Sequence, residues 1–143
     1  MPITDPLVEA AISARNEMQL HALEGLLTTP YHRVGLEGAE AGVIQYANRA
    51  FCELVGRSQD ELIGMSVLDL THPEDSAASA EHIRNFVNSE GCAPVRLNKR
   101  FMRPDGATIH VVLQSAIYRD PVTTKAVSMT LCEELPTRRI PRP

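Results

Sequence analysis

GVIQYANRAFCELVGRSQDELIGMSVLDLTHPED, residues 42–75, is the stretch whose reading decides the fold. Val43 to Tyr46 is a run of strand formers, and Asn48, just behind it, is a helix-capping residue. Phe51, Leu54 and Val55 then share one helical face, and Gly56 ends the helix because glycine takes the left-handed conformation at little cost. Ser58 stands three residues before Glu61, the spacing of a reciprocal N-terminal cap, so a second short helix is expected over Gln59 to Ile63, stopping at Gly64. Past Leu68 and Leu70 the chain turns through His72, Pro73, Glu74 and Asp75 into a longer helix, Pro73 to Val87. Local structure accounts for the polar residues here: Asn48 caps, His72 satisfies a turn, and Asp75 accepts amides at its own helix start. Helices this short are not stable alone and need a surface to lie on.

The downstream sequence supplies that surface. Pro94 to Arg103 alternates Val95, Leu97, Lys99 and Phe101 against Arg96, Asn98, Arg100 and Met102. Asp105-Gly106 is a strong hairpin signal. Thr108 to Tyr118 places Ile109, Val111, Leu113, Ser115 and Ile117 on one face, while Val112, Ala116 and Tyr118 leave the other only half polar. Lys125 to Cys132 alternates Val127, Met129 and Leu131 against Ala126, Ser128, Thr130 and Cys132. Two strands partly apolar on both faces imply that helices bury one face and something else covers the other.

Upstream, Tyr31 to Glu37 reads as a weak strand paired in a hairpin with Val43 to Tyr46. Leu7 to Leu27 reads as a helix with an irregular apolar stripe of Val8, Ile12, Leu20, Leu23, Leu26 and Leu27. Such a stripe either covers its own domain or meets a copy of itself, and the pattern leaves both open. The closing ELPTRRIPRP reads as a linker. The expected organisation is a flanking helix in 1–30, one α+β domain over 31–133, and a tail from 134 to 143.

The 143 residues suffice for one domain, and 43% apolar content suits a folded chain. A formal charge of −4 gives no reason to expect nucleic acid as the main partner. Cys52, Cys92 and Cys132 are widely spaced without a CxxC pair, so they read as thiols of a reducing compartment, not metal ligands. With neither a signal peptide nor a membrane-spanning apolar run, a soluble cytoplasmic chain is expected. No phosphate loop, paired metal motif or nucleophile elbow is present, which argues against catalysis.

The order of two strands, three small helices and three antiparallel strands resembles the PAS family of sensory modules. The resemblance covers Tyr31 to about Glu133 and rests on Tyr46-Ala47-Asn48 with Phe51, Ser58 to Gly64, His72 to Asp75, and Arg103 to Gly106. It implies a five-stranded antiparallel sheet in the order 2-1-5-4-3, cupping helices over a cavity that holds or lacks a small molecule. It also implies homodimerisation through the outer sheet face and flanking helix, and coupling to an output domain or partner signalling protein. The interface residues are then Val8, Ile12, Leu20, Leu23, Leu27, Val112, Ala116 and Tyr118.

The cavity lining is expected from Leu54, Ile63, Leu68, Leu70, Ile83, Phe86, Leu97, Phe101, Val111, Leu113 and Met129, a surface suited to a small apolar ligand. Lys99 interrupts this set; it either points inward to pair with an anionic ligand group or snorkels to water. Arg33 and Gln45 are further polar candidates. The cofactor is left unassigned. The segment Gly64 to Leu70 has no cysteine, against covalent flavin chemistry, and His82 is the only histidine in the long helix, a poor basis for haem. The readings to be separated are a sensory module, a small α+β enzyme with an inward His110 or Asp69, and a purely structural interaction domain.

Overall fold

The sheet is antiparallel throughout, with β1 (Tyr31–Gly35), β2 (Ile44–Ala47), β3 (Val95–Met102), β4 (Thr108–Arg119) and β5 (Ala126–Glu134) in the order β2-β1-β5-β4-β3. The computed structural model describes residues 18–86, 88, 95–120 and 123–136. The expected start of the first helix at Leu7, the interface candidates Val8 and Ile12, Val87, Cys92 and the tail from 137 lie outside the described residues. Within them, α1 covers 18–26, followed by α2 (Arg49–Val55), α3 (Gln59–Leu62) and α4 (Pro73–Phe86). Both short helices end and begin as their sequences dictate. Gly56 is left-handed at φ 71° and its amide donates to the Cys52 carbonyl, while Ser58 and Glu61 cap α3 reciprocally.

Two segments of the central stretch close the sheet's edges. Gly64, Met65 and Val67 exchange backbone hydrogen bonds with Gly42 and Ile44 beside β2. A single turn of 3-10 helix, Val67–Asp69, then carries the chain to the opposite edge, where Met102 donates to Leu70 and His72 donates to Arg100. The sequence gives no sign of this turn, which lies where the expected pattern shows only Leu68 and Leu70. Exposed edges are templates for unwanted pairing, and here both are occupied by the chain's own backbone along part of their length.

The helical side of the sheet is a core of Ile44, Phe51, Val55, Leu62, Leu70, Phe101 and Val111, all fully buried. His32 lies in it, stacked on Phe51 at 4.3 Å between ring centres and edge-on to Phe101. Asn48 joins three elements. Its Oδ1 accepts from the amides of Phe51 and Tyr31, and its Nδ2 donates to the carbonyls of Leu27 and Thr29.

Asp75 departs from expectation. It accepts the Arg100 backbone amide at 3.0 Å and two guanidinium hydrogen bonds at 2.8 and 3.0 Å, so it clasps α4 to β3 across the sheet edge instead of capping its own helix. His72 takes the local role, its Nδ1 accepting from the Glu74 amide.

Replacing Asn48 with alanine strands two buried amides and two carbonyls, and is expected to cost about 3 kcal/mol or more in urea unfolding. A loss under about 0.5 kcal/mol would show that water takes over these bonds.

Candidate functional site

A cavity of about 100 Å³ lies between α4 and the inner face of the sheet. Helix α4 contributes Asp75, Ala78, Ser79, His82, Ile83 and Phe86. The sheet contributes His32 and Val34 from β1, Leu97, Asn98 and Lys99 from β3, Leu113 and Ser115 from β4, and Ser128 and Thr130 from β5. A larger surface cleft of about 460 Å³ near Arg103 is shallow, and its acidic members Glu53, Glu133 and Glu134 are exposed.

The lining is more polar than the expected one, and strand register is the cause. Arg119 pairs with Ala126, so Ser115 faces Thr130 and Ile117 faces Ser128. The even-numbered residues of β5 therefore point inward. Met129 lies on the opposite face, contrary to its expected place in the cavity, and Leu131 lies there with it. Inside, Thr130 Oγ1 is 2.8 Å from Ser115 Oγ and 2.9 Å from Ser128 Oγ, a chain of three buried hydroxyls.

Five of the expected lining residues, Ile83, Phe86, Leu97, Lys99 and Leu113, meet at this cavity. Leu54, Leu70, Phe101 and Val111 belong to the packed core next to it, outside the cavity lining. Ile63 is 46% exposed at the end of α3, and Leu68 is partly buried in the 3-10 turn. Of the residues weighed for an enzyme, Asp69 and His110 are both exposed.

Lys99 carries the cavity's unbalanced charge. Its side chain is partly buried, its Nζ sits 5.1 Å from the centre of the Phe101 ring, and burial lowers its pKa to about 8. Among the described residues no ion pair reaches it, since Asp75, the acidic lining residue, is held by Arg100. Full burial, with a smaller contribution from Lys99, lowers the His32 pKa to about 3, so the ring is neutral at ordinary pH. A cavity of this size is below the roughly 300 Å³ from which drug-sized pockets begin. As it stands it suits a compact ligand.

The outer face has a different character. Glu24 of α1 is fully buried, and its Oε2 accepts from the Tyr31 hydroxyl and from Arg33 Nε at 3.1 Å. Arg33 also donates to Gln45. Arg33 and Gln45 thus serve this outer cluster and are absent from the cavity lining. Beside the cluster, an apolar groove of about 230 Å³ is bounded by Leu27, Tyr31, Gln114, Ala116, Met129 and Leu131. Leu23 and Leu27 are exposed, as is Ala116, while Leu20, Val112 and Tyr118 are partly buried. Nothing in the sequence marks Glu24, because a lone glutamate on a helix reads as solvated until the helix is docked.

The profile of the PAS fold matches residues 38–131. Among curated proteins, the chain is 29% identical over 91 residues to the probable diguanylate cyclase DgcE of Escherichia coli K12. That match spans 62% of this chain and 8% of the relative's length. Among solved structures, the PAS domain of a two-component sensor histidine kinase superposes with a TM-score of 0.65 at 18% identity, covering 86% of this chain and 99% of that one. The Rhodobacter sphaeroides LOV protein superposes with a TM-score of 0.71 at 13% identity, covering 87% and 69%.

Two outcomes follow from the buried titratable groups. The unfolded chain takes up a proton on His32 below about pH 6.5 that the folded chain refuses down to about 3. Stability should therefore fall by a few kcal/mol as pH drops from 6.5 to 4.5, and His32→Leu should flatten that slope in urea titrations. Lys99 acts in a higher window, because the unfolded chain keeps its proton to about 10.5 and the folded chain to about 8. Stability should rise across that interval, and Lys99→Met should be more stable than the parent at pH 7 by about 2 kcal/mol, with the gap closing near pH 10.5.

Proposed function

The chain belongs to the PAS family, and on that footing we propose that it is the sensory and regulatory module of a signal-transduction protein. In this reading it acts by homodimerisation and by receiving a small molecule in the cavity beneath α4, not by catalysis of its own. The sensory unit spans 31–133, with the segments before and after it as connections to an output domain or partner signalling protein. A cytoplasmic setting is part of the proposal. It is supported by free thiols at Cys52 and Cys132, and no helix among the described residues is long and apolar enough to cross a membrane.

One observation carries the reading: the same two strands line the cavity and form the outer groove. On β4, Leu113 and Ser115 face the cavity while Gln114 and Ala116 face the groove. On β5, Ser128 and Thr130 face inward while Met129 and Leu131 face outward. A shift of these strands on ligand entry is felt at once on the outer surface, because packed sheets transmit displacement instead of absorbing it. The occupant assigned to that surface is a second copy of the chain. Exposed Met18, Leu23, Leu26, Leu27 and Leu131 supply the apolar area that such contacts bury.

Sedimentation equilibrium across a wide concentration range should show a dimer. Leu23→Glu and Leu131→Glu should each weaken it by about tenfold or more. A chain that remains monomeric at every concentration would remove the interface.

A further inference from the structure

We infer that the cavity beneath α4 takes a compact monoanion, specifically a short-chain monocarboxylate of about two to four carbons. The inference rests on the reading of this cavity as the sensory pocket and names what it accepts.

Charge selects the sign. The lining presents Lys99 and Asp75, but the Asp75 carboxylate is committed to Arg100 by three hydrogen bonds, one from the backbone amide and two from the guanidinium. His32 is enclosed, with its ring on Phe51 and its Nδ1 against Cys132 Sγ at 3.7 Å. Among the described residues the Lys99 ammonium therefore makes no ion pair: Asp75 acts on it only at a distance, and the Phe101 ring contact is worth about 1 kcal/mol against a larger desolvation cost. A carboxylate entering the cavity supplies the missing counter-charge and a charge-assisted hydrogen bond.

Valence and size narrow the class. One cation balances one negative charge, and a dianion would bring a second charge that Lys99 does not balance, beside the apolar part of the wall formed by Leu36, Ile83, Phe86, Leu97 and Leu113. Those same residues accept a short alkyl tail. A volume of about 100 Å³ is somewhat smaller than an apolar protein cavity known to hold a six-carbon ring, so it admits about four to six non-hydrogen atoms.

The hydroxyl chain gives a second recognition point. Ser115, Thr130 and Ser128 have three protons and two mutual contacts, so any arrangement leaves one O–H without a donor role inside the trio. It is available to an oxygen of the ligand on the same cavity wall.

Isothermal titration calorimetry of the full chain with sodium butyrate tests this, with butyramide as the neutral isostere and succinate as the dianion. Butyrate should bind, butyramide should bind at least about tenfold more weakly, and succinate should bind more weakly than butyrate. Lys99→Met, which is expected to keep the fold, should lose about tenfold or more of the butyrate affinity, while Lys99→Arg should retain part of it. Equal binding of butyramide, stronger binding of succinate, or undiminished butyrate binding by folded Lys99→Met would overturn the assignment, as would no heat from butyrate. Sedimentation of the same samples separates the two levels. A dimer that ignores butyrate leaves the sensory module standing and removes only the ligand class.

Discussion

The strap from Gly64 to His72 is the constraint on which the rest of the architecture depends. Its backbone is hydrogen-bonded to one edge of the sheet through Val67 and to the other through Leu70. Three residues in a 3-10 turn rise about 6 Å, and with a hydrogen-bonded spacing of about 4.8 Å at each end the strap spans roughly 16 Å, less than the roughly 19 Å between the outer strands of a flat five-stranded sheet. The edges must therefore curl toward each other where the strap crosses. That curl makes a cup, and α4, launched from the far end of the strap at Pro73, closes over it. The Asp75–Arg100 clasp then fixes α4 to β3 at the point where the strap ends.

Asn48 performs the corresponding task at the other end. All four of its strong hydrogen-bonding sites are used, linking the exit of α1, the start of β1 and the first turn of α2. Because α1 lies on the outer face and α2 on the inner, this one amide ties the placement of both layers to the β1–β2 hairpin. Glu24 completes the docking of α1, with Tyr31 and Arg33 as its partners in an environment that excludes water. A buried carboxylate is a costly way to attach a helix when leucine would serve, and its directional bonds hold α1 to one position on the sheet.

The sheet thus carries a polar inclusion on each face. On the outer side the charges of Glu24 and Arg33 meet each other, so that inclusion is balanced in charge, although Glu24 Oε1 is buried without a hydrogen bond. On the inner side no ion pair reaches Lys99 among the described residues, and the hydroxyls of Ser115, Ser128 and Thr130 are hydrogen-bonded to one another. A closed polar cluster stabilises a particular packing. An open one, in a cavity, favours whatever molecule completes it, and that asymmetry separates the structural cluster from the candidate site.

The sequence by itself determined the elements and their order. Strand alternation in 95–119, the reciprocal cap of Ser58 with Glu61, Asn48 as cap and Gly56 as terminator are all set by residues within a few positions of one another. It also determined that Lys99 shares a face with Leu97 and Phe101, since side chains alternate along a strand. Tertiary structure decided the rest. The inward turn of Ser128 and Thr130, and with it the outward place of Met129, follows from the register between β4 and β5. Periodicity fixes which residues share a face but not which face is inside. The pairing of Asp75 with Arg100 and the burial of Glu24 are likewise contacts between elements distant in sequence, and such contacts exist only once the cup has closed.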